Sequence, residues 1–457
     1  MTDLSPSKFG VLDYCMFAGV LIISGVIGLY TSYKGNKSPE EFLMGNRSFK
    51  PLPVTLSLLT SFVSATSLLG FSGEAYAYGM QMSLFVFGTA LAIKFSSYFI
   101  LPVIYPLNLT SINEYIELRF NSKRLGLVIA SFNLAKVLIS SGGLLFAPTI
   151  ALAHVTNLSV LTNIFLLGSV CTLYSSFGGI RAVIWTDVFQ FAVTMIGLIL
   201  VAIAGCIHVG GFFKVFYISS EGGRLDVFNM NPSPFVRQSF FNVIAFGFFF
   251  YMYCYSSHQI TVQRICTVAS IKHAKRVLDY NIYGMFVIYF FIFTGGLIAY
   301  SSYAGCDPLA LGIIKRKEEI MTHFIGDKLG FIPGLPGVFV AVIIGSALSS
   351  LSSVINGCVA MIWRDFFLRF SLFQNASTGL STLSNKILCK YSLTLFNIEK
   401  RIENGRLLYF YELLLFVNIF KAFIVGALII ALAVIASHAV SILEYQLSIM
   451  TSLSGPF

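Results

Sequence analysis

Apolar runs as long as a bilayer-crossing helix, roughly 20 residues, recur along the chain with short polar stretches between them. They lie at about 9–31, 51–77, 83–106, 123–154, 159–177, 182–209, 238–263, 277–303, 335–370 and 409–437, with a partial run from about 440 to Phe457. The pattern predicts ten membrane-spanning helices and an all-α polytopic membrane protein. The first run has neither a basic n-region nor a small-residue cleavage site, so it predicts a retained helix rather than a signal peptide. The runs at 123–154 and 335–370 exceed the bilayer thickness and predict helices that tilt or project beyond it.

Polar residues inside these runs carry the candidate chemistry. Ser346, Ser349, Ser350 and Ser353 are spaced i, i+3, i+4 and i+7, which puts four hydroxyls on one helix face. Hydroxyl oxygens suit hard cations, and the bilayer interior offers no competing water. Small residues also let membrane helices pack closely, so a cation site and a packing seam are both consistent with the spacing. In LSLLTSFVSATSLLGFSGEAYAYG, Ser61, Ser64, Thr66 and Ser67 gather at mid-span. They predict either a locally unwound helix, as in transporter ion sites, or a continuous helix whose hydroxyls bond their own carbonyls. Asp187, in GGIRAVIWTDVFQ, is an intramembrane acid of the functional kind. Its place one or two turns inside its run equally fits an acid satisfying the helix dipole. Lys94 and Lys136 are long enough to snorkel toward water.

Composition excludes a soluble domain: 56% of residues are hydrophobic and 11% charged, with a mean hydropathy of +0.81. With the N-terminus outside, 19 Lys and Arg face the cytoplasm and 8 face out, Lys94, Lys136 and Lys421 lying within spans. The positive-inside rule therefore predicts an extracellular N-terminus. The net charge of +10 then belongs to cytoplasmic loops, such as that with Arg264, Lys272, Lys275 and Arg276, and implies no nucleic-acid partner. The loops at 210–237 and 304–336 fall outside and 371–408 inside, all too short for a separate domain. The eight cysteines form no CxxC or His/Cys metal spacing. Cys206 and Cys306 both fall near the outer surface, where a disulfide or two free thiols are equally allowed. Asn157-Leu-Ser159 is an external sequon in a very short loop. There is no inward His/Asp/Glu constellation of catalytic type, so an enzyme is not expected.

From about residue 38 to the end the chain resembles the sodium/solute symporter family, in particular its branch of multivitamin, monocarboxylate and iodide transporters. The blocks that carry the resemblance, in order, are SPEEFLMGNRSF, LPVTLSLLTSFVSATSLLG with EAYAYG, TSINEYIELRFN, GGIRAVIWTDVFQ, DVFNMNPSPFVRQSFF through HQITVQR, CDP, and GLPGVFVAVIIGSALSSLSSVIN followed by RDFF. The resemblance implies one leading helix and two five-helix repeats of inverted topology, without detectable sequence similarity between the halves. The implied division is 1–50 for the external N-terminus, leading helix and cytoplasmic loop, 51–209 for the first repeat, 210–237 for an extracellular loop, and 238–457 for a second, incomplete repeat.

It further implies sodium-coupled symport of a small organic anion, a monocarboxylate or a vitamin such as biotin or pantothenate, across the plasma membrane. The main sodium site maps to the backbone carbonyls of Val63 and Thr66, with Ser346, Ser349 and Ser350 opposite. A second sodium site maps to Asp187, Ser349, Ser352 and Ser353, for two ions per cycle. The substrate pocket maps to Ser64, Ser67 and Phe146 with the 246–255 segment. Phe146 stands where close relatives often have tyrosine, and Ser67 where iodide carriers have glutamine, departures that imply an organic anion rather than iodide. Gln263 and Arg264 match a family motif at the inner end of their helix, with an implied packing or gating role. The final LSIMTSLSGPF matches the start of the family's tenth core helix. Its early stop leaves an alternative expectation, a nontransporting membrane scaffold or regulatory partner. The oligomeric state is open.

Overall fold

A computed structural model describes residues 10–34, 44–156, 159–177, 180–366, 369 and 424–437. The expected segments at 371–408 and from about 440 onward lie outside the described residues, as does much of the run at 409–437. The described chain is helical, with one isolated β-bridge between Phe49 and Val268.

The helices are α1 (Val11–Lys34), α2 (Pro51–Phe62), α3 (Ala65–Tyr78), α4 (Met80–Leu107, including short 3-10 and π turns), α5 (Asn113–Phe120), α6 (Lys123–Thr156), α7 (Val160–Phe177) and α8 (Ile180–Val209). Then follow α9 (Phe212–Glu221), α10 (Phe240–Ser256), α11 (Gln259–Ile265), α12 (Ile271–Ser302), α13 (Ile320–Lys328), α14 (Leu335–Met361) and α15 (Ile424–Ala436). Among the described residues, 6 helices are long and apolar enough to cross a membrane, and two bent pairs raise the number to 8. The remaining expected spans correspond to α7, at 18 residues, and to the run from which only α15 is described.

The bent pairs position the site. α2 and α3 meet at 60°, and α10 and α11 at 58°. The first break follows from its residues. Val63 leaves helical geometry with ψ 72°, and Ser64 is extended, its hydroxyl capping the new helix by accepting from the Ser67 amide at 3.4 Å. The mid-span serines therefore mark a broken helix, and back-bonding accompanies it, since Ser61 Oγ donates to the Ser57 carbonyl at 3.0 Å. The second break, at His258, was not read from the residues of the 238–263 run. Its signal was the polar cluster Ser256, Ser257, His258, Gln259 inside an otherwise apolar stretch.

Close helix approach holds the two broken spans against their neighbours. A Cβ on Gly88 of α4 would lie 2.2 Å from the Ile244 carbonyl oxygen of α10, and one on Gly247 2.2 Å from that of Phe85. An aromatic wall fills the space beside this contact. Phe85 stacks on Phe71 at 4.9 Å between centroids and meets Tyr289 edge-on at 4.8 Å, geometries that add to the burial itself.

Polar ties close both ends. At one end, Asp13 of α1 is buried and accepts from the Gly337 amide in the first turn of α14 at 2.9 Å, an acid placed on the positive end of a helix. At the other end, Asp365 accepts from Ser111 Oγ and Asn113 Nδ2, both at 2.8 Å, and Arg364 pairs with Glu114 at 2.5 Å. The TSINEYIELRFN and RDFF blocks are thus the two halves of one polar joint.

Candidate functional site

The break between α2 and α3 leaves carbonyls at the end of α2 without helical partners. Two are met by serines: Phe62 O accepts from Ser67 Oγ at 3.1 Å, and Ser61 O accepts from Ser350 Oγ of α14 at 3.2 Å. The hydroxyl face of α14 therefore lies directly against the unwound point. Thr66 Oγ1 is buried there with no hydrogen-bond partner among the described residues, an oxygen available to a ligand. Ser346 Oγ instead donates within its own helix, to Ile343 O at 2.9 Å.

Beside the break lies a cavity of about 110 Å³, bordered by Ser61, Ser64, Thr66, Ser67 and Ser350 on one side and by Phe246, Phe250, Tyr251 and Cys254 of α10 on another. A cavity of roughly 10–15 Å³ on this measure holds one water, so a small organic molecule has room. Ser64 and Ser67 stand in its lining as the sequence implied, and so does part of the 246–255 segment. Phe146 does not line this cavity. Its ring lies under the guanidinium of Arg316, 5.3 Å from its centroid.

Adjacent serines diverge by about 100° around a helix, and the structure divides Ser349 from Ser350 accordingly. Ser349 Oγ donates to Asp187 Oδ1 of α8 at 2.5 Å. The carboxylate also receives Ser57 Oγ at 2.7 Å and Arg264 Nη2 at 2.8 Å on Oδ2. The same Nη2 lies 2.6 Å from Ser353 Oγ, which in turn bonds the Ser349 carbonyl at 2.7 Å. Ser352 Oγ points back to that carbonyl at 3.0 Å. Asp187, Ser349 and Ser353 therefore converge, and the charge that meets the acid is the guanidinium of Arg264.

These contacts decide between open readings. Of the two for Asp187, the shallow acid serving its own helix dipole is excluded: the side chain is fully buried, held by α2, α11 and α14. Arg264, given a packing or gating role by the resemblance, joins α11 to α8 by an ion pair with side chains 1% and 0% exposed. Lys136 does not reach water, being 1% exposed with its ammonium 3.8 Å over the Tyr253 ring. Lys94 is half exposed and pairs with Asp279 at 2.7 Å.

Sequence reasoning passed over another buried acid, Glu74 near the C-terminal end of α3. It receives Lys317 Nζ at 2.7 Å, Arg237 Nη2 at 3.0 Å and the Gln238 side-chain amide. Two residues on, the Tyr76 hydroxyl donates to Asp307 of the CDP block. The C-terminal end of α3 is thereby clamped to two connecting segments, one with Arg237 and Gln238 and one with Asp307 and Lys317. An acid inside an apolar run was the available signal. Cys206 and Cys306 are free thiols.

The unwound helix, opposing hydroxyls and adjoining cavity together make a candidate binding site for a small solute. A profile of the sodium:solute symporter family matches residues 42–434, and the chain belongs to that family. Among curated proteins, it is 36% identical over 384 residues to sodium-coupled monocarboxylate transporter 2 of Mus musculus, covering 84% of this chain and 62% of that protein. It is 37% identical over 366 residues to human sodium-coupled monocarboxylate transporter 1, covering 80% and 60%. The human sodium/iodide cotransporter is 34% identical over 359 residues, with 78% and 56% covered. The chain thus spans about six tenths of the length of these relatives. A solved Na+-coupled sialic acid symporter, at 20% identity, superposes with a TM-score of 0.76 over 97% of this chain and 87% of that one, and shares its fold. The inverted-repeat transporter fold expected from the sequence is the fold observed.

Proposed function

We propose that the protein is a sodium-coupled symporter of a small organic anion, a monocarboxylate or a carboxylate vitamin, working by alternating access in the plasma membrane with its N-terminus outside. The observation that carries this reading is the contact of Ser350 Oγ with Ser61 O across the broken helix, beside the cavity. The relatives named monocarboxylate transporters support the substrate class. The halves 51–209 and 238–457 act as the two repeats, each opening with a bent pair, at α2/α3 and α10/α11.

Sodium enters as co-substrate. Val63 and Thr66 supply carbonyls and Ser346, Ser349 and Ser350 the facing oxygens. A bound ion there cross-links α2/α3 to α14, and its release frees the two to part. Asp187, Ser349, Ser352 and Ser353 take a second ion only when the Arg264 guanidinium leaves Asp187, because one carboxylate balances one cation. Ser64, Ser67 and Phe146 serve the substrate, Phe146 from outside the cavity as a contact on its path. Each unit charge moved down the membrane potential releases about 2.3 kcal/mol per 100 mV, so two sodium ions drive one anion inward against its gradient.

Purified protein in liposomes tests this with labelled lactate, biotin, pantothenate and iodide. An inward sodium gradient is expected to concentrate at least one of the carboxylates, and choline in place of sodium to abolish that uptake. Equal uptake in sodium and choline removes the coupling, and uptake of iodide alone removes the organic-anion reading. The orientation is tested separately by an epitope tag before Met1. Antibody is expected to bind it on intact cells, and binding only after permeabilisation reverses the orientation.

A further inference from the structure

Among the described residues Lys136 has no counter-ion: its side chain is 1% exposed, and its Nζ has no hydrogen-bond partner and no carboxylate paired with it. Its ammonium lies over the Tyr253 ring at 3.8 Å. A desolvated cation–π contact is worth about 2 kcal/mol, whereas burying an ion costs several kcal/mol. A buried cation left in this deficit is suited to an anion that arrives and departs.

The surroundings say where that anion sits. Val137, next in the chain, and Ser140, one turn on, both line the cavity beside the helix break. Tyr253, which carries the ammonium on its face, is followed by Cys254 in the cavity wall and meets the His258 ring edge-on at 5.8 Å. His258 also lines the cavity, and its Nδ1 is buried without a partner. One end of the cavity therefore holds the unsatisfied His258 nitrogen, at the second break, while the Lys136 ammonium stands outside the lining, next to its Val137 and Cys254 wall. Phe62, Phe71, Phe246 and Phe250 give it an apolar side opposite in character to the serines of the helix break.

We propose that Lys136, assisted by His258, is the carboxylate-binding group of this carrier, the acyl chain of the substrate lying toward the phenylalanines. The assignment rests on the carrier reading above and adds the residue that makes it selective for anions. A carboxylate entering beside Lys136 brings the negative charge that the buried ammonium lacks, and a neutral isostere does not.

The test compares wild type with Lys136→Met, which keeps the apolar stem, and Lys136→Arg, which keeps the charge. Two readouts serve: thermal stabilisation of purified protein by L-lactate and by uncharged lactamide, and sodium-driven uptake of labelled L-lactate in liposomes. Wild type is expected to be stabilised by lactate and not by lactamide. Lys136→Met is expected to need roughly thirtyfold or more lactate for the same shift, as when one member of a buried charge pair is lost, and to lose its preference over lactamide. Lys136→Arg is expected to retain that preference. Stabilisation by sodium alone, unchanged in Lys136→Met, reports that the variant is folded. If Lys136→Met does not fold, the lactate-to-lactamide preference of Lys136→Arg decides. Equal lactate dependence in wild type and Lys136→Met overturns the assignment, and so does loss of the preference in a folded Lys136→Arg. Lysine-dependent lactate stabilisation in a protein that moves no lactate overturns the carrier reading and leaves the binding assignment standing.

Discussion

Replacing Asp187 by alanine is expected to destabilise the protein by about 3–5 kcal/mol, the cost of leaving a buried cation unpaired. The guanidinium of Arg264 lies 2.8 Å from the carboxylate, both side chains are buried, and Nε and Nη1 of Arg264 have no hydrogen-bond partner of their own. Nothing in the vicinity compensates for loss of the acid. Arg264→Ala is expected to cost a similar amount, because the acid is then stranded with only Ser57 and Ser349. The double variant Asp187→Leu with Arg264→Met is expected to recover most of the loss, since well-packed apolar replacements of buried pairs are often neutral. Melting temperatures in detergent for the wild type, the two single variants and the double variant form the cycle that checks this. Single variants that melt with the wild type, or a double variant worse than the sum of the singles, contradict the pairing.

Ser350→Ala is expected to raise the sodium concentration for half-maximal uptake by roughly tenfold to a hundredfold. The hydroxyl that bridges α14 to the Ser61 carbonyl is one proposed ligand in a site of few, and an interaction with a charged group is worth about 1.5–3 kcal/mol. Ser350→Thr keeps the oxygen and is expected to lie near wild type. Thr89→Ala is the matched control, because that hydroxyl is buried and bonds only the Phe85 carbonyl of its own helix at 3.0 Å. Uptake curves against sodium, at fixed substrate, give the comparison. A sodium dependence in Ser350→Ala superimposable on that of Thr89→Ala would remove Ser350 from the ion site.

Much of the scaffold was legible because the bilayer leaves few options. Runs of about 20 apolar residues define spans, and serines gathered at mid-span pointed to the α2/α3 break, with Ser64 supplying the cap. The hydroxyl face of α14 was legible from its spacing alone. The assignment of its oxygens was not. Ser349 and Ser350 are neighbours in sequence, and only the placement of α8 and α2 around α14 sends one to Asp187 and the other to Ser61. Arg264 was beyond reach for a similar reason: 77 positions separate it from Asp187, and a second bend, at His258, is needed to deliver it. Lys136 was misjudged because a long stem near the inner end of a span ordinarily reaches water. What holds it inside is the face of Tyr253, a contact between α6 and α10 that no local pattern encodes.

The bond from Asp13 to the Gly337 amide joins the leading helix to the very segment that bears the serine ladder. A Cβ on Gly337 would lie 2.5 Å from the Asp13 backbone, so the two chains touch at that point. The N-terminal helix is therefore seated on the ladder helix and on α8, not an independent anchor in the lipid. A spectroscopic label near residue 13 reports the position of the first turn of α14, without any probe near the serines themselves.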